Sequence, residues 1–203
     1  MCIRDSSDRV VTGISLLIIS TPAFVIGHVT QIGATWLNNL TQTRMFEFIG
    51  ETGEVGDYPL ADLVDRAQHL LLPTLVLIVL GAASMSRIQR NLMLDSLGAD
   101  YVRTARAKGL RESKAVMKHA LRTALIPTGT YVAFSVATMF TGATFTERIF
   151  NFPGIGQYGV DTITNRDVNG VVAVTAFAGV CVLVGAVLSD IMVAILDPRV
   201  RLA

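Results

Sequence analysis

The residues that could carry chemistry are few and lie far apart along the chain. Three histidines, His28, His69 and His119, fall in different predicted elements, whereas a metal site needs several ligands at one point. A hydrogen-bonded histidine inside a helix bundle is the simpler interpretation of His28, and His69 is expected at a membrane boundary with its polar tip in the interface. We therefore predict no metal site, no catalytic residue and no cofactor.

One glycine-rich stretch, PGIGQYG at 153–159, has the composition of a nucleotide-binding loop. Such a loop must follow a strand and open a helix, and no strand pattern precedes this one. The phosphate-binding pattern G-x-x-x-x-G-K-[S/T] does not occur in the sequence either. The chain is therefore not expected to be an enzyme, and any ATP hydrolysis is expected from a partner.

The composition points to lipid as the solvent. Of the 203 residues, 51% are hydrophobic and 16% are charged, against about 25% charged in soluble domains. A net charge of +1 is too small for a nucleic-acid-binding surface, which is strongly basic. The two cysteines, Cys2 and Cys181, cannot form a disulfide framework.

Four apolar runs approach the length of about 20 residues that crosses a bilayer. We predict an all-α membrane protein, a bundle of about four transmembrane helices over 10–32, 70–86, 124–145 and 168–196. The connecting segments are 33–69, 87–123 and 146–167. The second run is short, and a buried soluble helix remains an alternative for it.

The basic residues are distributed unevenly between these segments. Nine of the seventeen Lys and Arg lie in 87–123, and Arg4, Arg9, Arg199 and Arg201 flank the two ends. The segments 33–69 and 146–167 hold the remaining four, and 33–69 also holds six acids: Glu47, Glu51, Glu54, Asp57, Asp62 and Asp65. The positive-inside rule places both ends and 87–123 in the cytoplasm, with 33–69 and 146–167 outside.

The basic segment contains an amphipathic pattern. If 96–108 is one helix, Leu97, Tyr101 and Ala105 share an apolar face beside Val102. Gly109 is placed to end this helix in the left-handed conformation. From the residues alone, two interpretations stay open: a helix that docks in a groove of another protein, or a basic loop that lies on anionic lipid.

The second outside segment is rich in turn-forming residues. Pro153-Gly154 suits a type II turn, and Gly156 permits a further backbone reversal. Four apolar residues are expected to anchor the loop in the mouth of the bundle: Phe150, Phe152, Ile155 and Tyr158. The alternative is a compact turn that only joins two spans.

Six stretches together resemble one known family. DYVRTARAKGL followed by KHALRTALIP is similar to the cytoplasmic signature loop of the membrane subunits of bacterial ABC importers, in the branch that handles peptides and nickel. The resemblance continues, in the same order, through LLIISTPAFVIG, HLLLPTLVL, FTGATFTERIFNFPGIGQYGVDTITNRD and DIMVAILDPRVR. It covers nearly the whole chain. One departure is that Arg103, Thr104 and Ala105 stand where the general signature has Glu-Ala-Ala.

The resemblance implies a permease subunit of the bacterial inner membrane with about six helices, of which this chain lacks about two at the N-terminus. The expected partners are cytoplasmic ATPase subunits, a second permease subunit and an extracytoplasmic substrate-binding protein. The implied ATPase-docking residues are Leu97, Asp100, Tyr101, Val102, Arg103, Ala105, Arg106, Lys108 and Gly109. The implied extracytoplasmic gate residues are Glu147, Phe150, Pro153, Gly154 and Gly156.

A gradient-driven transporter or channel without an ATPase is the alternative function. It predicts paired charges or broken helices near the middle of the membrane. Asp190 is the one Asp, Glu, Lys or Arg inside the predicted runs, and it lies near the end of its run. This position disfavours the alternative.

Overall fold

The computed structural model describes residues 2–44, 46–53 and 61–196, and its regular structure is helical throughout. This confirms the all-α prediction for the described residues. Four charges used to predict the orientation, Glu54, Asp57, Arg199 and Arg201, lie outside them. The helices are α1 Cys2–Ser20, α2 Ala23–Thr41, α3 Ala61–Gly98, α4 Asp100–Ala107, α5 Glu112–Ala115, α6 Leu121–Met139, α7 Thr144–Phe150, α8 Ile155–Thr164 and α9 Val168–Leu196, and a π-helical turn over Val116–Ala120 joins α5 to α6.

The predicted first span, 10–32, falls on two helices rather than one. Residues Ser7–Ser20 of α1 and the whole of α2 meet at an angle of 103°. Pro22 causes the break, because it has no N–H to donate and it restricts the preceding residue to extended backbone. Pro22 itself is extended, with φ −57° and ψ 140°, and serves as the N-cap of α2.

The predicted second span, 70–86, is the middle of a much longer helix. α3 has 38 residues, which corresponds to about 57 Å at 1.5 Å per residue. Polar residues at both ends continue the helix beyond the apolar run, and Pro73 is accommodated inside it. The helix is thus about twice as long as the hydrocarbon core is thick.

Two of the described helices, α3 and α9, are long and apolar enough to span a membrane, or three spans exist if the bent pair α1–α2 counts as one. α6 is not among them, since threonine, glycine and proline interrupt its apolar residues. The helix also ends at Met139, before the predicted boundary at 145. A bundle of about four spans therefore stays a prediction.

The first compact unit comprises Met1–Ser84 and Thr141–Phe177. Its core contains Ala34 of α2, Leu72 and Val76 of α3, and the fully buried Phe150 of α7. The rings of Phe48 and Phe150 pack edge to face, 6.3 Å apart. The core joins α2, α3 and α7, and this arrangement positions the loop that follows Phe150.

The second compact unit comprises Met85–Phe140 and Ala178–Ala203. Its core is built from Val102, Ala105, Ala115 and Ala120, so α4 packs directly on the α5–α6 segment. The Thr128 hydroxyl donates a hydrogen bond to Gln89 Oε1, which joins α6 to the second half of α3. Gly129 permits a close approach between helices, since a β-carbon there would lie 2.3 Å from Leu196 Cδ1.

Large apolar side chains cover much of the surface. Of the most apolar stretch of α9, only 11% is buried, and exposed residues include Val172, Phe177, Val180, Leu183, Val187 and Ile191. Soluble monomers rarely expose contiguous apolar patches of this extent. These faces suit contact with lipid or with another membrane helix.

Candidate functional site

The predicted docking helix is shorter than the sequence pattern indicates. The interpretation of 96–108 as one helix is wrong, because Ala99 adopts an extended conformation (φ −75°, ψ 147°) and α4 begins at Asp100. Leu97 therefore belongs to the last turn of α3. The carbonyl of Ala99 accepts the backbone N–H of Val102 at 3.1 Å, which forms the first turn of the new helix.

The glycine after α4 ends it as predicted. Gly109 has φ +86°, a conformation that glycine adopts without strain. Its N–H donates to the carbonyl of Arg106 at 3.0 Å, and the N–H of Leu110 donates to the carbonyl of Ala105 at 3.3 Å. These two bonds form a Schellman motif, with Leu110 packed against the cluster that contains Ala105. The end of α4 is thus fixed by local geometry.

The predicted apolar face of α4 divides into a buried half and an exposed half. Val102 is 3% exposed and Ala105 is 7% exposed. Tyr101 remains 42% exposed, and Leu97 on α3 is 39% exposed. The outward surface of the docking segment also carries the exposed charged residues Asp100, Arg103, Arg106 and Lys108. It therefore offers one aromatic ring among charged side chains.

The π-helical turn packs against α4. Ala115 precedes this turn and Ala120 is its last residue, and neither has any exposed surface. The N–H of Leu121 bonds to the carbonyl of Val116, five residues earlier, and such a widened turn brings residues five apart onto the same face. Two methyl side chains on that face let the backbone of α4 approach closely. Arg106 further pairs with Glu112 at 3.8 Å.

In the first unit, Glu147 connects two helix N-termini. Its Oε1 accepts the backbone N–H of Ala143, the N-cap of α7, at 2.9 Å. Its Oε2 accepts the N–H of Gln157, in the first turn of α8, at 2.8 Å. Free N–H groups and the helix dipole make both positions favourable for a carboxylate. Glu147 therefore holds α7 and α8 together.

Two glycines leave room for this contact. Gly154 is the N-cap of α8 with φ −127°, so the predicted type II turn at Pro153-Gly154 is wrong, since that turn requires positive φ at Gly154. A β-carbon on Gly154 would lie 2.3 Å from Glu147 Cδ. Gly156 lies inside α8, so the predicted reversal there is wrong as well. A β-carbon on Gly156 would lie 2.7 Å from Thr144 Cα.

The predicted apolar anchors of this loop differ in burial. Phe150 is fully buried in the core of the first unit, and its carbonyl accepts the N–H of Gly50 at 2.9 Å. Phe152 and Ile155 are half-buried. Tyr158 is 54% exposed, so its prediction as an anchor is wrong. Asn151 ends α7 in the left-handed conformation with φ 49°, and exposed Pro153 follows it.

The histidines are not equivalent. His28 is exposed and lies 3.2 Å from Gln31 Oε1 on the same helix. His69 is only 3% exposed, so its predicted place with the polar tip in the membrane interface is wrong. It lies against Asp65 and Glu47. The sequence indicates two of the three members of this cluster, since Asp65 and His69 are four residues apart and share one face of a helix.

Comparison with known proteins identifies the family. Residues 3–202 match the family model described as the inner membrane component of binding-protein-dependent transport systems. The chain belongs to this family. The match covers both the segment around α4 and the loop held by Glu147, so both candidate sites lie within the family domain.

Members of this transport family with curated names resemble the chain closely. It is 48% identical over 202 residues to an oligopeptide transport system permease protein of Mycobacterium tuberculosis, covering 97% of the chain and 61% of that protein. It is 41% identical over 140 residues to a similarly named protein of Bacillus subtilis, covering 69% and 44%. A dipeptide transport system permease protein of Escherichia coli is 36% identical over 149 residues, covering 73% and 42%. The chain spans about three fifths of the length of the first of these relatives.

Proposed function

We propose that the chain forms the greater part of a permease subunit in an ATP-driven importer, and that its cargo is peptides. The main observation behind this proposal is α4, a short helix that is packed through Val102 and Ala105 and exposes an aromatic ring and several charges. Membership of a binding-protein-dependent transport family supports it. So do the names of the similar proteins, which are oligopeptide and dipeptide permeases.

Coupling to ATP hydrolysis would pass through α4. Tyr101 is the side chain best placed to enter a cleft on an ATPase subunit, because it is 42% exposed beside fully anchored Val102. Aromatic side chains of this kind often dominate protein interfaces. Arg103, Arg106 and Lys108 would meet acidic groups around the cleft. The Schellman motif and the π-helical turn would carry movement of α4 into α6.

The loop from α7 to α8 would face the substrate-binding protein on the other side of the membrane. Glu147 gives this loop a fixed shape by joining two helix N-termini, and Phe150 fixes it to α2 and α3. A rigid element of this kind is suited to act as a gate. Pro153, Gly154 and Tyr158 lie on its accessible side.

Peptides would pass by alternating access along a path formed between this subunit and a second, similar permease subunit. The subunit would lie in the bacterial inner membrane with 87–123 in the cytoplasm and 146–167 outside. The gradient-driven transporter is the weaker candidate. Asp190, the charge within its predicted run, is exposed near the end of α9, and binding-protein dependence is a property of the family rather than of that mechanism.

Peptide uptake tests the proposal directly. The intact permease subunit that contains this chain is expressed in a bacterium that lacks the equivalent gene, together with its neighbouring transport genes. We expect it to restore uptake of a radiolabelled tripeptide, and we expect uptake to persist with a proton uncoupler while the ATP concentration is maintained. Uptake that collapses with the uncoupler at constant ATP concentration would instead indicate a gradient-driven transporter.

A further inference from the structure

A buried polar cluster in the first unit is separate from both candidate sites. Asp65 and His69 lie one turn apart near the start of α3 and are 6% and 3% exposed. Glu47 reaches them from the segment Phe46–Gly53 and is half-buried. Each of the three offers one ligand atom, and these atoms lie within 4.8 Å of one another.

The hydrogen bonding of His69 leaves one ring nitrogen available. Nδ1 lies 2.9 Å from the carbonyl oxygen of Asp65, and a carbonyl only accepts, so Nδ1 carries the hydrogen. In the neutral imidazole Nε2 then holds the lone pair, and it lies 4.0 Å from Glu47 Oε2, which is too long for a hydrogen bond. Histidine ligands of metals are commonly oriented in this way, with the second nitrogen donating to a carbonyl or carboxylate.

One oxygen of the Asp65 carboxylate is also hydrogen-bonded already. Its Oδ2 accepts the backbone N–H of Gly53 at 2.8 Å, which leaves Oδ1 for another partner. Oδ1 lies 3.5 Å from His69 Nδ1, beyond the usual range of an N–H···O bond. With neutral His69, the cluster therefore presents one imidazole lone pair and carboxylate oxygens around a common point, and such groups repel one another unless a proton or a metal cation lies between them.

Gly53 keeps the space beside these groups open. A β-carbon on Gly53 would lie 2.7 Å from Glu47 Oε2, 3.2 Å from His69 Cε1 and 3.4 Å from Asp65 Oδ1. All three side chains therefore converge on the same small volume. Two ligands about 2.1 Å from one tetrahedral ion lie about 3.4 Å apart, so His69 Nε2 and Glu47 Oε2, now 4.0 Å apart, would need to move together by about half an ångström to share an ion.

In contrast to the prediction of no metal site from the sequence, we propose that Glu47, Asp65 and His69 bind a divalent transition-metal ion, with Zn²⁺ the best match. Imidazole and carboxylate ligands together suit zinc and similar borderline ions, and water would supply the fourth ligand. The ion would have a structural role, because it ties the segment Phe46–Gly53 to the first turns of α3. This proposal does not depend on the transport function.

Metal analysis of the intact permease subunit that contains this chain, purified in detergent with any affinity tag removed, tests the site. After incubation with Zn²⁺ and gel filtration, we expect about one zinc per chain and a higher thermal unfolding temperature than in chelator-treated protein. Glu47→Gln keeps the shape of the side chain and removes its charge, so we expect zinc affinity to fall by at least about tenfold. His69→Ala should abolish the stoichiometric zinc.

His28→Ala is the matched control, because His28 is exposed and lies outside the cluster. It should retain both the zinc and the temperature shift. Wild-type protein that retains no zinc and shows no shift would overturn the proposal, and the cluster would then be a hydrogen-bonded structural element. The proposal would also be overturned if both single variants, Glu47→Gln and His69→Ala, retained zinc with wild-type affinity.

Discussion

The Glu147 carboxylate accepts the backbone N–H of Gln157 at 2.8 Å, ten residues further along the chain. Through this contact a side chain of α7 satisfies a free backbone group in the first turn of α8. The same carboxylate accepts the N–H of Ala143 with its other oxygen. The structure of the loop between the two helices therefore depends on this carboxylate and on the space around it.

We expect Gly154→Ala to destabilise the first unit. The new β-carbon would displace the Glu147 carboxylate, since it would lie 2.3 Å from Glu147 Cδ. Hydrogen bonds to a charged group contribute about 1.5–3 kcal/mol each, so loss of both bonds should lower the free energy of unfolding, measured by thermal unfolding in detergent, by about 3–6 kcal/mol. Gly81→Ala is the control, because a β-carbon at Gly81 meets no atom within 4 Å. An equal loss in both variants would contradict the account.

The substitutions Gly154→Ala and Glu147→Ala should be strongly non-additive. Each removes the same pair of hydrogen bonds, so the double variant is expected to lose little more stability than either single variant. The coupling between the two positions should be at least about 1 kcal/mol in a double-mutant cycle. Additive losses would mean that Gly154 has a role independent of Glu147.

Gly109→Ala should loosen the end of α4 without any steric clash. A β-carbon at Gly109 meets no atom within 4 Å, so the penalty comes from φ +86° alone and is about 1–2 kcal/mol. Gly109→Asn should destabilise the end of α4 less than Gly109→Ala does, because asparagine tolerates the left-handed conformation better than alanine. Hydrogen exchange at the amides of Gly109 and Leu110 measures the effect. Equal protection from hydrogen exchange in the wild type and in the asparagine and alanine variants would contradict this prediction.

The proposed orientation predicts a clear labelling pattern in intact cells. With Cys2 and Cys181 replaced by serine, a cysteine at Arg103 should react with a membrane-impermeant maleimide only after the cells are opened. A cysteine at Thr164 should react in intact cells, because 146–167 is predicted to lie outside. Both positions are exposed, so access to water is not the difference between them. The reverse labelling pattern would show that the chain has the opposite orientation in the membrane.

Features with a local cause could be predicted from the sequence. Gly109 was predicted to end a helix because only a left-handed residue closes that motif, and a glycine followed by leucine is a local signal. The kink at Pro22 had a local signal as well, but the length of the uncharged run favoured one continuous span. The break at Ala99 had a local signal too, in Gly98, although Ala99 itself is of the strongest helix-forming type.

Features with a tertiary cause could not be predicted. The sequence predicts turns at Gly154 and Gly156, whereas glycine is required at both positions because Glu147 and Thr144 of α7 lie too close for a β-carbon. The spacing of Asp65 and His69 indicates a shared helix face, but nothing in the sequence places Glu47 beside them. Likewise, the apolar pattern of α4 did not show that Val102 is buried while Tyr101 stays exposed.

Binding of the ATPase to α4 is the central claim, and one co-purification experiment tests it most directly. The tagged intact permease subunit is expressed with its neighbouring transport genes and purified in detergent as wild type, Tyr101→Asp and Tyr158→Asp. Tyr158 is the control because it is similarly exposed, at 54% against 42% for Tyr101, and lies in the first unit. We predict that the ATPase co-purifies with wild type and Tyr158→Asp and is lost from Tyr101→Asp at an unchanged unfolding temperature. Undiminished co-purification with Tyr101→Asp, or no ATPase with wild type, would contradict the account.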